Sequence, residues 1–143
     1  MAGSGYLWPA GWSAMQKGSA DWTADAIADN ATETGDAFLM CPSDVAHASV
    51  DIGIACAEDN TGAIDGLVTV YVLRDVDGTN YEEPGVAGAY SFQFAPVQND
   101  VVYFSFGLDG LVYSAFKLAF KNEAGQEVAL TVTYKFSTIP LAS

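Results

Sequence analysis

Near its end the chain alternates with a period of two: Val128, Leu130, Val132, Tyr134 and Phe136 fall at every second position, with Thr131, Thr133 and Lys135 between them. In a pleated ribbon this spacing puts the apolar side chains on one face and the polar ones on the other, so it predicts a strand with one covered face. The same period returns in Val50, Ile52, Ile54 and Cys56, set against Ser49, Asp51 and Gly53. It returns again in Phe92 and Phe94, in Val102, Phe104 and Phe106 opposite Tyr103 and Ser105, and in Phe116, Leu118 and Phe120 opposite Lys117 and Lys121. The run from Leu67 to Leu73 is apolar on both faces and rich in β-branched residues, the pattern of a central strand covered on each side.

Between these runs lie turn formers: Asp59-Asn60-Thr61-Gly62, Asp77-Gly78, Pro84-Gly85, Gln98-Asn99-Asp100, Asp109-Gly110 and Asn122-Glu123-Ala124-Gly125. Each supplies a residue that tolerates positive φ or bonds its own backbone, so successive strands are expected to run antiparallel. The expected fold class is all-β, an antiparallel two-sheet sandwich of jelly-roll or immunoglobulin-like kind. A fibronectin-like sandwich or a related barrel stays open, because strand order is not written in the periodicity. Residues 21–143 are expected to form this single domain, a size that buries an adequate core without metal or disulfide. The part from Asp21 to Thr34, with Trp22 and Ile27 among alanines and acids, fits either an edge strand or a short helix and is read as strand.

The first twenty residues show neither period. They are rich in Gly, carry Pro9, and hold Tyr6, Trp8 and Trp12. Large aromatics in a loose segment need something to cover them, so residues 1–20 are read as an extended N-terminal interaction arm with Tyr6, Trp8 and Trp12 as its partner-binding residues.

Charge narrows the partners. Eighteen acidic residues against five Lys and Arg give a net charge of −13. A surface of that sign repels phosphate backbones, and no nucleic acid partner is expected. The longest apolar stretch stops at Arg74, too short to cross a bilayer, so no membrane association is expected. No basic and apolar leader with a small-residue cleavage site opens the chain, which points to synthesis in the cytoplasm and to Cys41 and Cys56 as free thiols rather than a disulfide. The Asn30-Ala31-Thr32 acceptor pattern lacks a secretory context.

Motifs that carry chemistry are sparse. His47 is the single histidine, and no G-x-S-x-G elbow accompanies it, so a nucleophilic triad is not expected. Cys41, His47 and Cys56 match no compact zinc spacing. The loop Asp75 to Glu83 crowds oxygen ligands suited to calcium, but its glycine comes too early for an EF-hand, and it is read as an acidic turn with Asp77-Gly78 at its tip. The expectation is therefore no catalytic residue, no metal and no cofactor. Tyr71, Tyr81, Tyr90, Tyr103 and Tyr113 leave a sugar-binding module as an alternative, should several share an exposed face.

The stretch Val68-Thr69-Val70-Tyr71-Val72-Leu73-Arg74-Asp75-Val76-Asp77-Gly78, followed by Phe116-Lys117-Leu118, Thr131-Val132-Thr133-Tyr134 and the closing Ile139-Pro140, resembles small structural proteins of tailed-bacteriophage virions. The likeness covers roughly residues 45 to 143 and lies in strand pattern more than in a diagnostic motif. It implies a non-enzymatic capsid decoration or cement protein on the outer surface of the head, made in the host cytoplasm. It further implies binding across neighbouring copies of the major capsid protein or other virion subunits, as a dimer or trimer. A tail or head-tail component is the nearest alternative.

Overall fold

The structure is a computed structural model that describes residues 12–18, 20–39, 47–58, 62–86, 89–109 and 115–138. The described residues form strands and turns without a helix. The strands are β1 (Ser13–Ala14), β2 (Gln16–Lys17), β3 (Ala20–Asp21), β4 (Asp25–Ile27), β5 (Thr32–Thr34), β6 (Phe38–Leu39), β7 (His47–Glu58), β8 (Leu67–Arg74), β9 (Tyr90–Phe94), β10 (Asp100–Asp109), β11 (Ala115–Glu123) and β12 (Val128–Thr138). No helix among them is long and apolar enough to cross a membrane.

Two antiparallel sheets face each other. One runs β4, β12, β7, β10, with β1 sharing the β12 edge beside β4. The other runs β5, β11, β8, β9, with β6 sharing the β11 edge beside β5. The pairing is nested: β8 pairs β9, β7 pairs β10, β11 pairs β5 and β6, and β12 pairs β4. A long antiparallel ribbon rolled up on itself produces this order, and it is the topology of a jelly roll. The all-β sandwich expected from the alternation is thus the observed fold, and strand order selects the jelly roll over the immunoglobulin-like arrangement.

The alternation decides what is buried. Val50, Ile52, Ile54 and Cys56 of β7 face Val68, Val70 and Val72 of β8 across the sandwich, joined by Phe116, Leu118 and Phe120 of β11 and by Val128, Leu130 and Val132 of β12. Each such side chain contributes roughly 1.5–3 kcal/mol when taken out of water. On the side where β9 and β10 form the sheet edges, Phe92 packs against Phe104 and Phe106, and Phe94 against Phe104, at centroid distances of 4.7 to 6.1 Å.

The N-terminal quarter closes the other side. Residues 15–22 fold into a small hairpin through β2 and β3, turning at Gly18 with φ of 67°. Its mouth is clipped to β12: the Met15 amide donates to the Val132 carbonyl, the Val132 amide donates to the Trp22 carbonyl, and the Trp22 amide donates to Met15. Met15 and Trp22 are both buried. Within the span read as an arm, residues 13–18 and 20 thus lie against the body in short strands. Their backbone groups pair with the sheet edge and with each other, and the apolar Met15 is covered by the sandwich. The part from Asp21 to Thr34 forms strands, as read. Tyr6 and Trp8 lie outside the described residues.

Asn122 holds the two sheets together at one end. Its buried side-chain amide donates to the carbonyls of Ile27 at 3.0 Å and Gln126 at 2.7 Å, and its oxygen accepts from the Ala124 amide at 3.0 Å. One side chain thereby ties the end of β4 to the turn between β11 and β12.

Candidate binding face

The outward positions of the first sheet carry unusually small side chains. Strand register places Thr131, Ala55 and Tyr103 in one row, Thr133, Gly53 and Ser105 in the next, and Lys135, Asp51 and Gly107 in a third. Gly53 and Ala55 lie on the middle strand of this face, with β12 and β10 hydrogen-bonded on either side. The result is a floor with hydroxyls from Ser105, Thr131 and Thr133 and little bulk.

Two aromatic residues rise from this floor. Tyr103 stands on the β10 edge and is 76% exposed, and Trp12 lies over the Gly53 side and is 45% exposed. Trp12, Gly53, Ile54, Ala55, Tyr103, Phe104, Ser105, Thr131 and Thr133 line an open groove of about 460 Å³. Diagonal neighbours on one face of an antiparallel pair stand about 7–8 Å apart, which is the relation of Gly53 to Tyr103. The Lys135 ammonium sits 4.8 Å from the Trp12 ring centroid, a cation–π contact that holds the indole in place. Gly53 is what lets the indole sit so low: a Cβ there would lie 3.2 Å from Trp12 Cζ3 and 2.7 Å from Thr133 Oγ1.

The four described candidate tyrosines do not gather. Tyr103 is on the outer face of the first sheet, and Tyr71 is half-buried on β8 of the second. Tyr90 is exposed at the β9 edge, and Tyr81 is half-buried under the Lys117 ammonium, 4.8 Å from its ring centroid. Tyr113 lies outside the described residues. The partner of Tyr103 across the groove is a tryptophan from the N-terminal segment. The small residues at alternate positions of β7 were the signal in the sequence for such a floor.

In the Asp75 to Glu83 loop, Asp75 and Asp77 spend their carboxylates on the loop's own backbone. Asp75 Oδ1 accepts from the amides of Asp77 and Gly78, and Asp77 Oδ1 accepts from those of Thr79 and Asn80, with Gly78 at φ of 90°. The Asp77 carboxyl is held below its usual range by the Asn80 side-chain amide and by the two backbone amides. Glu82 takes Arg74 in a two-pronged ion pair, Nε to Oε1 at 3.1 Å and Nη2 to Oε2 at 3.4 Å. This is the acidic turn, with Asp77-Gly78 inside it.

Among the described residues, no group of three or more His, Cys, Asp or Glu is placed to hold a metal ion. His47 opens β7 opposite Thr138. Cys56 is buried in the core, and Cys41 lies outside the described residues.

No protein-family model matches the chain, and no curated protein matches it. A solved structure described as "CBM4 structure and function" aligns with 91% of this chain and 86% of its own, at 12% identity and a TM-score of 0.40. A likeness that distant carries no argument about ligand or activity.

Proposed function

We propose that the chain is a non-enzymatic decoration subunit of a tailed-phage capsid, bound across neighbouring shell subunits and reinforcing the head. The observation that supports it best is how the N-terminal leader joins the body. The hairpin formed by β2 and β3 is clipped to Val132, and β1 lies on β12, so a pull from the N-terminal side of Trp12 would be passed to backbone hydrogen bonds of the first sheet. Decoration subunits work under tension between shell subunits, and a leader rooted in this way suits that load. Tyr6 and Trp8, ahead of that root, supply rigid aromatic anchors for pockets on the major capsid protein.

Jelly rolls serve unrelated purposes, so the fold alone names no function, and the resemblance of the strand phrasing to phage structural proteins supplies the direction. The acidic body suits a solvent-facing position away from packaged DNA. A dimer or trimer on the particle follows from the symmetry of shell junctions.

The test is the copy number of the chain in purified virions of the phage that encodes it, measured by quantitative mass spectrometry against the major capsid protein. Copies in proportion to the capsid subunits are expected. A few copies per particle would place it in the tail or head-tail connector, and none would end the virion reading. A variant lacking residues 1–11 is expected to fold and to lose attachment to the shell.

A further inference from the structure

The face of the first sheet combines features that single out one ligand chemistry. Its two walls, Trp12 and Tyr103, are large and exposed, and aromatic surface of this kind is retained where something covers it. The middle strand of its floor, β7, is hydrogen-bonded on both sides, so between the two rings no free backbone groups are offered to an added peptide strand. What the floor does offer is side-chain hydroxyls, from Ser105, Thr131 and Thr133, beside the opposite charges of Asp51 and Lys135. The ligand that fits has apolar faces to lie on the rings and hydroxyls around its rim.

Charge selects further. The chain carries a net charge of −13, so an anionic ligand approaches against the field of the whole protein. Locally, Asp51 and Lys135 offset one another across the third row of the floor, which suits a neutral ligand that both donates and accepts hydrogen bonds. The groove, about 460 Å³ and largely apolar with a few polar groups, is within the range of small-ligand sites.

We infer that the groove between Trp12 and Tyr103 is a binding site for a neutral glycan, with sugar rings resting against the two aromatic side chains and the floor hydroxyls ordering the rim. Gly53 is the specificity-determining position, because any side chain there meets Trp12 and Thr133 and fills the space the sugar takes. The site shares Trp12 with the residues expected to grip the shell, whereas Tyr103 and Gly53 lie on the body strands and belong to the groove alone.

Native affinity electrophoresis of the full chain tests this, in gels containing barley β-glucan, galactomannan or xylan, with polygalacturonate as the anionic comparison. Retardation by at least one neutral polymer is expected, weakened more than about tenfold in Tyr103→Ala and Gly53→Val and unchanged in Tyr90→Ala. Tyr103 is largely in solvent, so its replacement is expected to leave the fold intact, and circular dichroism melts of each variant check that it is folded. The inference is overturned if no neutral polymer retards the chain, if polygalacturonate alone does, or if Tyr103→Ala and Gly53→Val migrate like the parent. Virion copy number is untouched by any of these outcomes.

Discussion

The indole of Trp22 meets the ring of Phe120 edge-on, with centroids 5.1 Å apart and planes at 84°. This contact joins the N-terminal hairpin to the middle of the second sheet, and Trp22 is fully buried. Its Nε1 has no hydrogen-bond partner, so the residue is kept for its rings and shape rather than its polar tip.

Trp22→Ala therefore leaves a large cavity and is expected to lower unfolding free energy by about 3–5 kcal/mol. Trp22→Phe keeps an aromatic against Phe120 and removes the unsatisfied donor, so it is expected to stay within about 1.5 kcal/mol of the parent. Urea unfolding of both variants checks the pair. Equal losses would mean that an aromatic ring against Phe120 is not what Trp22 supplies.

The long strands were legible because burial on one face leaves a period-two trace over eight or more residues. The two- and three-residue strands β1 to β6 leave no such trace, and their pairing is decided by which sheet edges remain unfilled. That is why residues 13–20 read as an arm. Gly35 shows the same limit: a Cβ there would lie 2.9 Å from Trp22 Cε3, a constraint set by a partner thirteen positions earlier. The groove was half legible. The small residues Gly53 and Ala55 on one face of a strand could be seen in the pattern, whereas their place beside Tyr103 depends on strand order and the arrival of Trp12 on how the leader is clipped to Val132.

Asn122→Ala strips both donors and the acceptor from a fully buried tie. The carbonyls of Ile27 and Gln126 and the amide of Ala124 each lose their partner in that side chain. A loss of about 3 kcal/mol is expected, since leaving buried polar groups unmet costs on the order of 1–3 kcal/mol apiece and water reaches some of them. Asn122→Asp is expected to be no better, because a carboxylate offers no donor to the two carbonyls. Thermal melts at neutral pH decide it, and a Tm within a degree or two of the parent for either variant would refute the tie.

Acid is expected to loosen the Arg74 to Glu82 turn before the sandwich. The Arg74 guanidinium and backbone amide hold the Glu82 carboxyl below its ordinary value of 4.5. A depressed carboxylate stabilises the fold above its unfolded pKa, and that contribution disappears as pH falls through the lower folded value. The pair is partly exposed, so the effect is under about 1 kcal/mol and local. Amide exchange reads it directly: the Glu82 amide, which donates to the Arg74 carbonyl at 2.9 Å, is expected to lose protection below pH 4.5 while core amides of β7 keep theirs. Glu82→Gln is expected to remove the pH dependence.

Cys56 gives the opposite sign at the alkaline end. Burial first, and the nearby Glu58 charge second, push its thiol from 9.0 up to about 12. A raised folded pKa contributes stability that is fully present below pH 9 and drains away as pH rises toward 12, because the unfolded chain ionises first. The difference of three units, 12 minus 9, also leaves roughly a thousandfold less thiolate at pH 8. In a Cys41→Ser variant the one remaining thiol is expected to resist a disulfide reagent such as DTNB in native buffer and to react fully in denaturant. Rapid native labelling would show that β7 exposes its inner face, and the packing assigned to this strand would have to be abandoned.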